Sequence, residues 1–290
     1  MDLAKYIVKA RPGVLGGKHE EKRPLRQLSA LPVKRYVFIN RDSHPDADIY
    51  VAIHQAKDLP SPVPDYQVPH CHNTDEFYYF IGNHPDLTGL EGQIIFEGKM
   101  HKIVSPACVY IPTGTVHEYK VTAGNGTVTV LFRNRGYTHE DKPFDVSKGE
   151  RDFARYAGYI FKPEVRPTTE IKYHTDAAPG TGYVFVDGKL KPEANFYTVV
   201  RTVAGVQPTQ ANYVDMHRHN CDTQHIAIGT GPELTGLKIE FQIRHDKMIV
   251  ESPVGVNIPA GTPHSQRIIE GAGHFFNFVP KSFYNDGLMS

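Results

Sequence analysis

The sequence predicts an all-β chain of two tandem barrel-like domains joined by a short helical linker, and three observations predict it. Glycine and proline are abundant, at 25 and 22 of 290 residues, as a turn-rich chain requires. Short runs of Val, Ile, Tyr and Phe alternate with polar residues and are cut by Gly, Pro, Asn and Asp roughly every 8–12 residues, the rhythm of a sandwich or barrel. The second half also repeats the first. Displaced by 147 positions, the chain lies on itself without a gap, with 28 identities over positions 35–132.

Taken in order, residues 1–33 carry mixed charge and few β signals and read as an N-terminal arm, packed on the body or on a neighbouring subunit. The first barrel spans 34–136, with strands read at RYVFIN, DIYVAIH, EFYYFIG, GQIIFEG, CVYIP and TVTVLF. Residues 137–180 break the rhythm and read as a linker. There Ser147 to Glu150 has the form of a capping box ahead of Phe153, Ala154, Tyr156 and Ala157, with Pro163 ending the short helix. The second barrel spans 181–290 and repeats the first: HCHNTD at 70–75 meets HRHNCD at 217–222, and SPACVYIPTGTVH at 105–117 meets SPVGVNIPAGTPH at 252–264.

Composition removes several function classes. Lys plus Arg and Asp plus Glu both number 32, so the net charge of zero supplies no field for nucleic acid or an anionic bilayer. Arg133, Arg135, Arg151 and Arg155 are too scattered to form a nucleic-acid face. No apolar run approaches the roughly 20 residues of a membrane span, and the start lacks the pattern of a secretory leader. Three cysteines (Cys71, Cys108, Cys221) cannot close a disulfide framework, so the sequence reads as cytoplasmic. Exposed sheet faces and the arm predict a homodimer or higher homo-oligomer, with a small molecule as the substrate and neither nucleic acid nor membrane as a partner.

The 16 histidines hint at metal or acid–base chemistry. His70 and His72 are two apart on a predicted strand, so both leave the same face. Asn73-Thr74-Asp75 turns the chain and brings Glu76 back beside them. Pro112 to His117 places a tight turn before a fourth donor. Three imidazoles and a carboxylate suit a borderline divalent ion (Fe, Mn, Zn, Ni or Co) and leave positions open for a reactant.

On these residues the chain resembles the cupin superfamily, specifically its two-domain bicupins. Their motifs carry HxH followed by Glu, then PxGxxH, and here stand as His70, His72, Glu76 with Pro112 to His117, then His217, His219 with Pro259 to His264. The resemblance implies two double-stranded β-helix (jelly-roll) barrels, each with a metal-capable pocket, and a menu of dioxygenases, decarboxylases, C–C bond hydrolases and isomerases. In the second copy Thr223 stands opposite Glu76. His217, His219 and His264, with Gln224 or His225, remain a chemically reasonable site; the alternative is a copy kept for the fold.

Tyr78 and Phe80 share parity with Glu76, and Tyr119 follows His117 by two, so all three are expected inside the barrel. A tyrosine hydroxyl beside the ion could bind a substrate oxygen or move a proton; aromatic packing is the plainer alternative. Cys71 should point away from the ion. His54, His84, His101 and His139 fit no ligand pattern and read as surface or turn residues. GVLGGKHEEK at 13–22 lacks the spacing of a phosphate loop.

The expected function is a metalloenzyme cleaving a C–C bond of a small enolisable carbonyl or phenolic compound chelated to the ion, by dioxygen (a dioxygenase) or metal-activated water (a hydrolase). His70, His72, Glu76, His117, His217, His219 and His264 are the candidate metal ligands, and Tyr78, Tyr119 and His225 the candidate catalytic residues. A redox-neutral isomerase or epimerase of a sugar or keto acid, and a non-catalytic small-molecule binder, are the alternatives.

Overall fold

The computed structural model describes residues 3–12, 32–65, 67–206 and 212–289; most of the predicted arm, including 13–22, lies outside them. The chain divides into two compact units, Arg11–Lys162 and Pro163–Ser290 together with Met1–Ala10. The predicted linker is thus shared, 137–162 falling in one unit and 163–180 in the other. No helix among the described residues is long and apolar enough to cross a membrane.

In Arg11–Lys162 two antiparallel sheets enclose one core. A seven-stranded sheet runs Ile160–Phe161, Ala107–Ile111, Glu76–Gly82, Gly126–Phe132, Tyr50–Ala56, Lys34–Ile39, Arg11–Pro12. A five-stranded sheet runs His139–Asp141, His70–His72, His117–Gly124, Leu90–Phe96, Lys99–Val104. Leu90–Phe96 alternates strictly between buried and partly exposed residues, the period-two pattern of a strand with one face on the core. Glu76–Gly82 is buried on both faces, which explains its unbroken apolar run. Between the sheets pack Tyr50, Tyr78, Phe80, Ile94, Phe96, Tyr119, Val128 and Phe132.

The linker helices are Val146–Arg151 and Phe153–Ala157, and Tyr156 stacks on Phe96 at 5.2 Å. The expected capping box at Ser147 is corrected. The N-cap is Asp145, whose carboxylate accepts from Lys148 N at 3.1 Å, and Ser147 lies inside the helix, donating to the same carboxylate. The helical stretch ends at Gly158, and Pro163 lies beyond the following strand, Ile160–Phe161.

The other unit repeats the plan, but His264–Val279 runs unbroken for 16 residues where its counterpart is two strands, so its strands join in one nine-stranded sheet. The repeated glycines sit where the chain needs them. Gly124 and Gly271 have φ of 86° and 98°, and a Cβ there would meet a carbonyl oxygen at 2.0 and 1.9 Å. Of the predicted arm, Ile7–Lys9 pairs antiparallel with Val254–Ile258, with Ile7 opposite Val256, and Tyr6 enters the core beside Val254 and Val256. In the first unit Ile160 lies opposite Val109 in the same manner and Tyr159 enters the core. Tyr6-Ile-Val-Lys9 and Tyr159-Ile-Phe-Lys162 are therefore a second repeated element, outside the 147-residue frame.

Candidate metal centres

His70–His72 is a three-residue strand, and His70 pairs in register with His117, the first residue of the neighbouring strand. Glu76 opens a strand of the facing sheet, so the turn over 73–75 carries the chain from one sheet to the other. This brings four donors together. The ring centroids of His70, His72 and His117 lie 4.9, 4.5 and 5.6 Å apart in pairs, and their candidate ligand nitrogens all lie within 4.8 Å of one another. Glu76 Oε2 is 2.8 Å from His117 Nε2 and 3.6 Å from His72 Nε2. All four side chains are buried.

Backbone carbonyls fix the imidazole tautomers. His70 Nδ1 bonds Val68 O, His72 Nδ1 bonds Thr138 O and His117 Nδ1 bonds Thr115 O, at 2.8, 2.8 and 2.9 Å. Each Nδ1 is the donor in such a bond, which turns the Nε2 lone pairs toward the cluster, the arrangement metal-binding histidines use. Burial, followed by the neighbouring His117 and His72, holds His70 well below the ordinary histidine range, so its ring is neutral, as a ligand must be. The carboxylate and the imidazoles present acceptor atoms to one point in a buried space. A divalent cation fits that demand.

The second cluster has the same dimensions. His217, His219 and His264 have centroid separations of 5.0, 4.6 and 5.6 Å, and their ligand atoms also lie within 4.8 Å. Burial pushes His219 down to about 2 and His264 down to about 3. His217 and His264 are tied by Nδ1 to Asp215 O and Thr262 O. Thr223 replaces the acid, and Gln224 does not substitute for it. Lying next along the strand it faces the other way, and its amide donates to Asn257 at 2.9 Å across the strand pair.

His225 points into the second barrel. It stacks on Phe275 at 5.5 Å with its centroid 6.0 Å from that of His264, and neither ring nitrogen has a hydrogen-bond partner among the described residues. Burial, then the neighbouring His264, keeps it neutral.

Tyr78 and Tyr119 both lie in the first barrel's core, 4.4 Å apart by ring centroid. The Tyr78 hydroxyl is 3.3 Å from His117 Nε2. The Tyr119 hydroxyl bonds His54 Nδ1, and the two rings stack at 6.0 Å. His54, expected at the surface, is buried; its strand alternates, and Tyr50, Ala52 and His54 share the inward parity. His139, likewise expected at the surface, stands opposite His72 on the edge strand and stacks on His70 at 4.3 Å. His101 is buried too, stacked on Phe153. His84 is a turn residue, bonded to Thr88. Cys71 is buried, and burial raises its thiol.

The sequence reading missed Tyr284. Its hydroxyl donates to His217 Nε2 at 2.8 Å and lies 3.3 Å from His219 Nε2.

Comparison with known proteins places this architecture. The chain is similar in structure to oxalate decarboxylase from Lactobacillus farciminis, solved as a formate complex, with a TM-score of 0.56, 15% identity, and coverage of 89% of this chain and 83% of that one. It is similar also to a point mutant of Bacillus subtilis oxalate decarboxylase, with a TM-score of 0.55, 12% identity, and coverage of 87% and 74%. Another structure of the Bacillus subtilis enzyme, matched at the same TM-score of 0.55, was described for its Mn(II) centres. No family model and no curated protein matches the sequence. The chain thus has the tandem jelly-roll fold of the bicupins, and each of its two barrels carries a buried histidine triad.

Proposed function

We propose that this chain is a divalent-metal-dependent enzyme that cleaves a C–C bond of a small substrate able to present two oxygens, an enolisable carbonyl, phenolic or dicarboxylate compound. The observation that carries the proposal is the convergence of His70, His72, His117 and Glu76 on one buried point, with every imidazole oriented by a backbone carbonyl. When bound, the ion supplies charge to hold two substrate oxygens and to stabilise the anion left by bond cleavage. The residues supply the rest. Their burial excludes bulk water and restricts access to small reactants. Tyr78 stands beside His117, where its hydroxyl can hydrogen-bond a substrate oxygen. Tyr119 would move a proton between its bonded partner His54 and the substrate, a role its bond to His54 supports.

The likeness to oxalate decarboxylases favours decarboxylation within this class, with dioxygen cleavage or metal-assisted hydrolysis as competing forms of the same bond-breaking step. Elemental analysis of the purified chain, chelation and reconstitution with single metals, and assay against dicarboxylates, diketones and phenols test the proposal. Carbon dioxide release without oxygen uptake is expected. Stoichiometric oxygen uptake replaces decarboxylation with dioxygenation, and a chain that never holds metal overturns the proposal.

A further inference from the structure

The second histidine triad lacks its carboxylate, yet a different oxygen stands in the same relation to it. In the first cluster Glu76 Oε2 lies 2.8 Å from one Nε2 and 3.6 Å from another. In the second, the Tyr284 oxygen lies 2.8 Å from His217 Nε2 and 3.3 Å from His219 Nε2. We propose that Tyr284 is the fourth donor of a second cation site, a three-histidine, one-tyrosinate centre that replaces the three-histidine, one-glutamate set of the first barrel. This inference rests on reading the histidine triads as cation sites.

The geometry separates a ligand from a plug. A hydroxyl has one proton and donates to one imidazole only, so as a plug it leaves the other acceptors of the triad unanswered. Tyr284 stands to one side and contacts two of them, while His264 Nε2, on a ring 1% exposed, has no hydrogen-bond partner among the described residues. His264 Nδ1 bonds Thr262 O, so Nε2 is its acceptor atom, and a buried acceptor without a donor is costly. A cation among the three nitrogens and the tyrosine oxygen satisfies the orphan and both of its neighbours at once.

The repeat explains how the tyrosine gets there. Tyr284 is the counterpart of Tyr137 in the 147-residue frame, and each packs against the counterpart of the other's tyrosine neighbour, Tyr50 or Tyr197. In the first barrel Tyr137 lies flat on Phe132 at 3.9 Å, its ring 5.6 Å from His72. In the second, Val279 takes the place of Phe132 and Thr223 that of Glu76. Both are smaller, and the Tyr284 ring comes to 4.9 Å from His219. The lost carboxylate and the moved tyrosine are one coupled change. On coordination the metal–oxygen bond forms and the phenol proton leaves to solvent, with no redox change.

The test uses the full chain carrying His70→Ala and His117→Ala, which removes two donors of the first site, with and without Tyr284→Phe. Fe(II) is loaded without oxygen and then oxidised to Fe(III). The chain with Tyr284 should hold one iron and show a visible tyrosinate-to-iron charge-transfer band with phenolate modes in resonance Raman. Tyr284→Phe should abolish the band and weaken iron binding at least about tenfold. Iron bound without the band, or bound as tightly or more tightly after Tyr284→Phe, overturns the role of Tyr284 while leaving the triad a cation site. No iron in the chain with Tyr284 overturns the second site itself. Should the double alanine variant fail to fold, Tyr284→Phe alone in the intact chain gives the same decision: the band is lost and the weaker of the two irons binds at least about tenfold less tightly, or the inference fails.

Discussion

Glu76→Gln separates a metal ligand from a structural carboxylate, because the two roles move ion affinity and stability in different directions. Glu76 is 1% exposed, and its Oε2 lies 2.8 Å from His117 Nε2 and 3.6 Å from His72 Nε2. Removing one partner of a buried charge pair costs about 3–5 kcal/mol, so ion affinity at this site should fall by about 10²–10⁴-fold. Without an ion the same change is nearly silent. The amide can donate to the His117 Nε2 lone pair, forming a hydrogen bond worth about 1 kcal/mol where two acceptors faced each other. The chelated variant should therefore unfold within about 4 °C of the chelated parent. Competition with a chromophoric chelator measures the first quantity and calorimetry after chelation the second. Unchanged affinity together with a drop of many degrees in the ion-free protein would show that Glu76 is a structural partner of His117 and refute the ligand assignment.

Other consequences follow from the same geometry. Tyr119→Phe breaks the link to His54 and should lower kcat by about 10²-fold on any substrate the chain turns over, with metal content unchanged; equal loss of metal would place Tyr119 in a structural role. His225→Phe removes two ring nitrogens that have no partner among the described residues and keeps the stack on Phe275, so the ion-free protein should gain about 1 kcal/mol. A lower melting temperature and lost turnover would instead give those nitrogens work in the reaction. Burial pushes His274, bonded to Thr202 Oγ1, down to about 4 from the 6.5 of an unfolded chain. Between these values the unfolded chain takes up a proton that the folded chain refuses, so the contribution is full above 6.5 and is lost as pH falls toward 4. His274→Gln should flatten the fall in melting temperature across that window. An identical slope would show that the ring is protonated in place.

The motifs were legible because two short-range rules are enough to read them. Strand parity puts His70 and His72 on one face and Tyr78, Phe80 and Tyr119 inside the barrel, and the turn over 73–75 delivers Glu76 from the facing sheet. Parity would also have placed His54 inward, since it shares the face of Tyr50 and Ala52. Other features depend on pairings that no local pattern encodes. His139 reaches His70 only because an edge strand of three residues docks on the HxH strand. Asp145 outcompetes the Ser147 capping box because its carboxylate reaches Lys148 N. Tyr284 had a signal in its match to Tyr137 at the repeat offset, but its position over the triad follows from the absence of bulk at Val279 and Thr223.

The claim on which the rest depends is that the first barrel holds a cation between its two sheets. Anomalous diffraction from crystals grown with Mn(II) or Fe(II) addresses it without reference to any substrate. A peak bounded by Nε2 of His70, His72 and His117 and by Glu76 Oε2 is the predicted result. Density showing those four side chains closed on one another, with no anomalous signal under saturating metal, would contradict it.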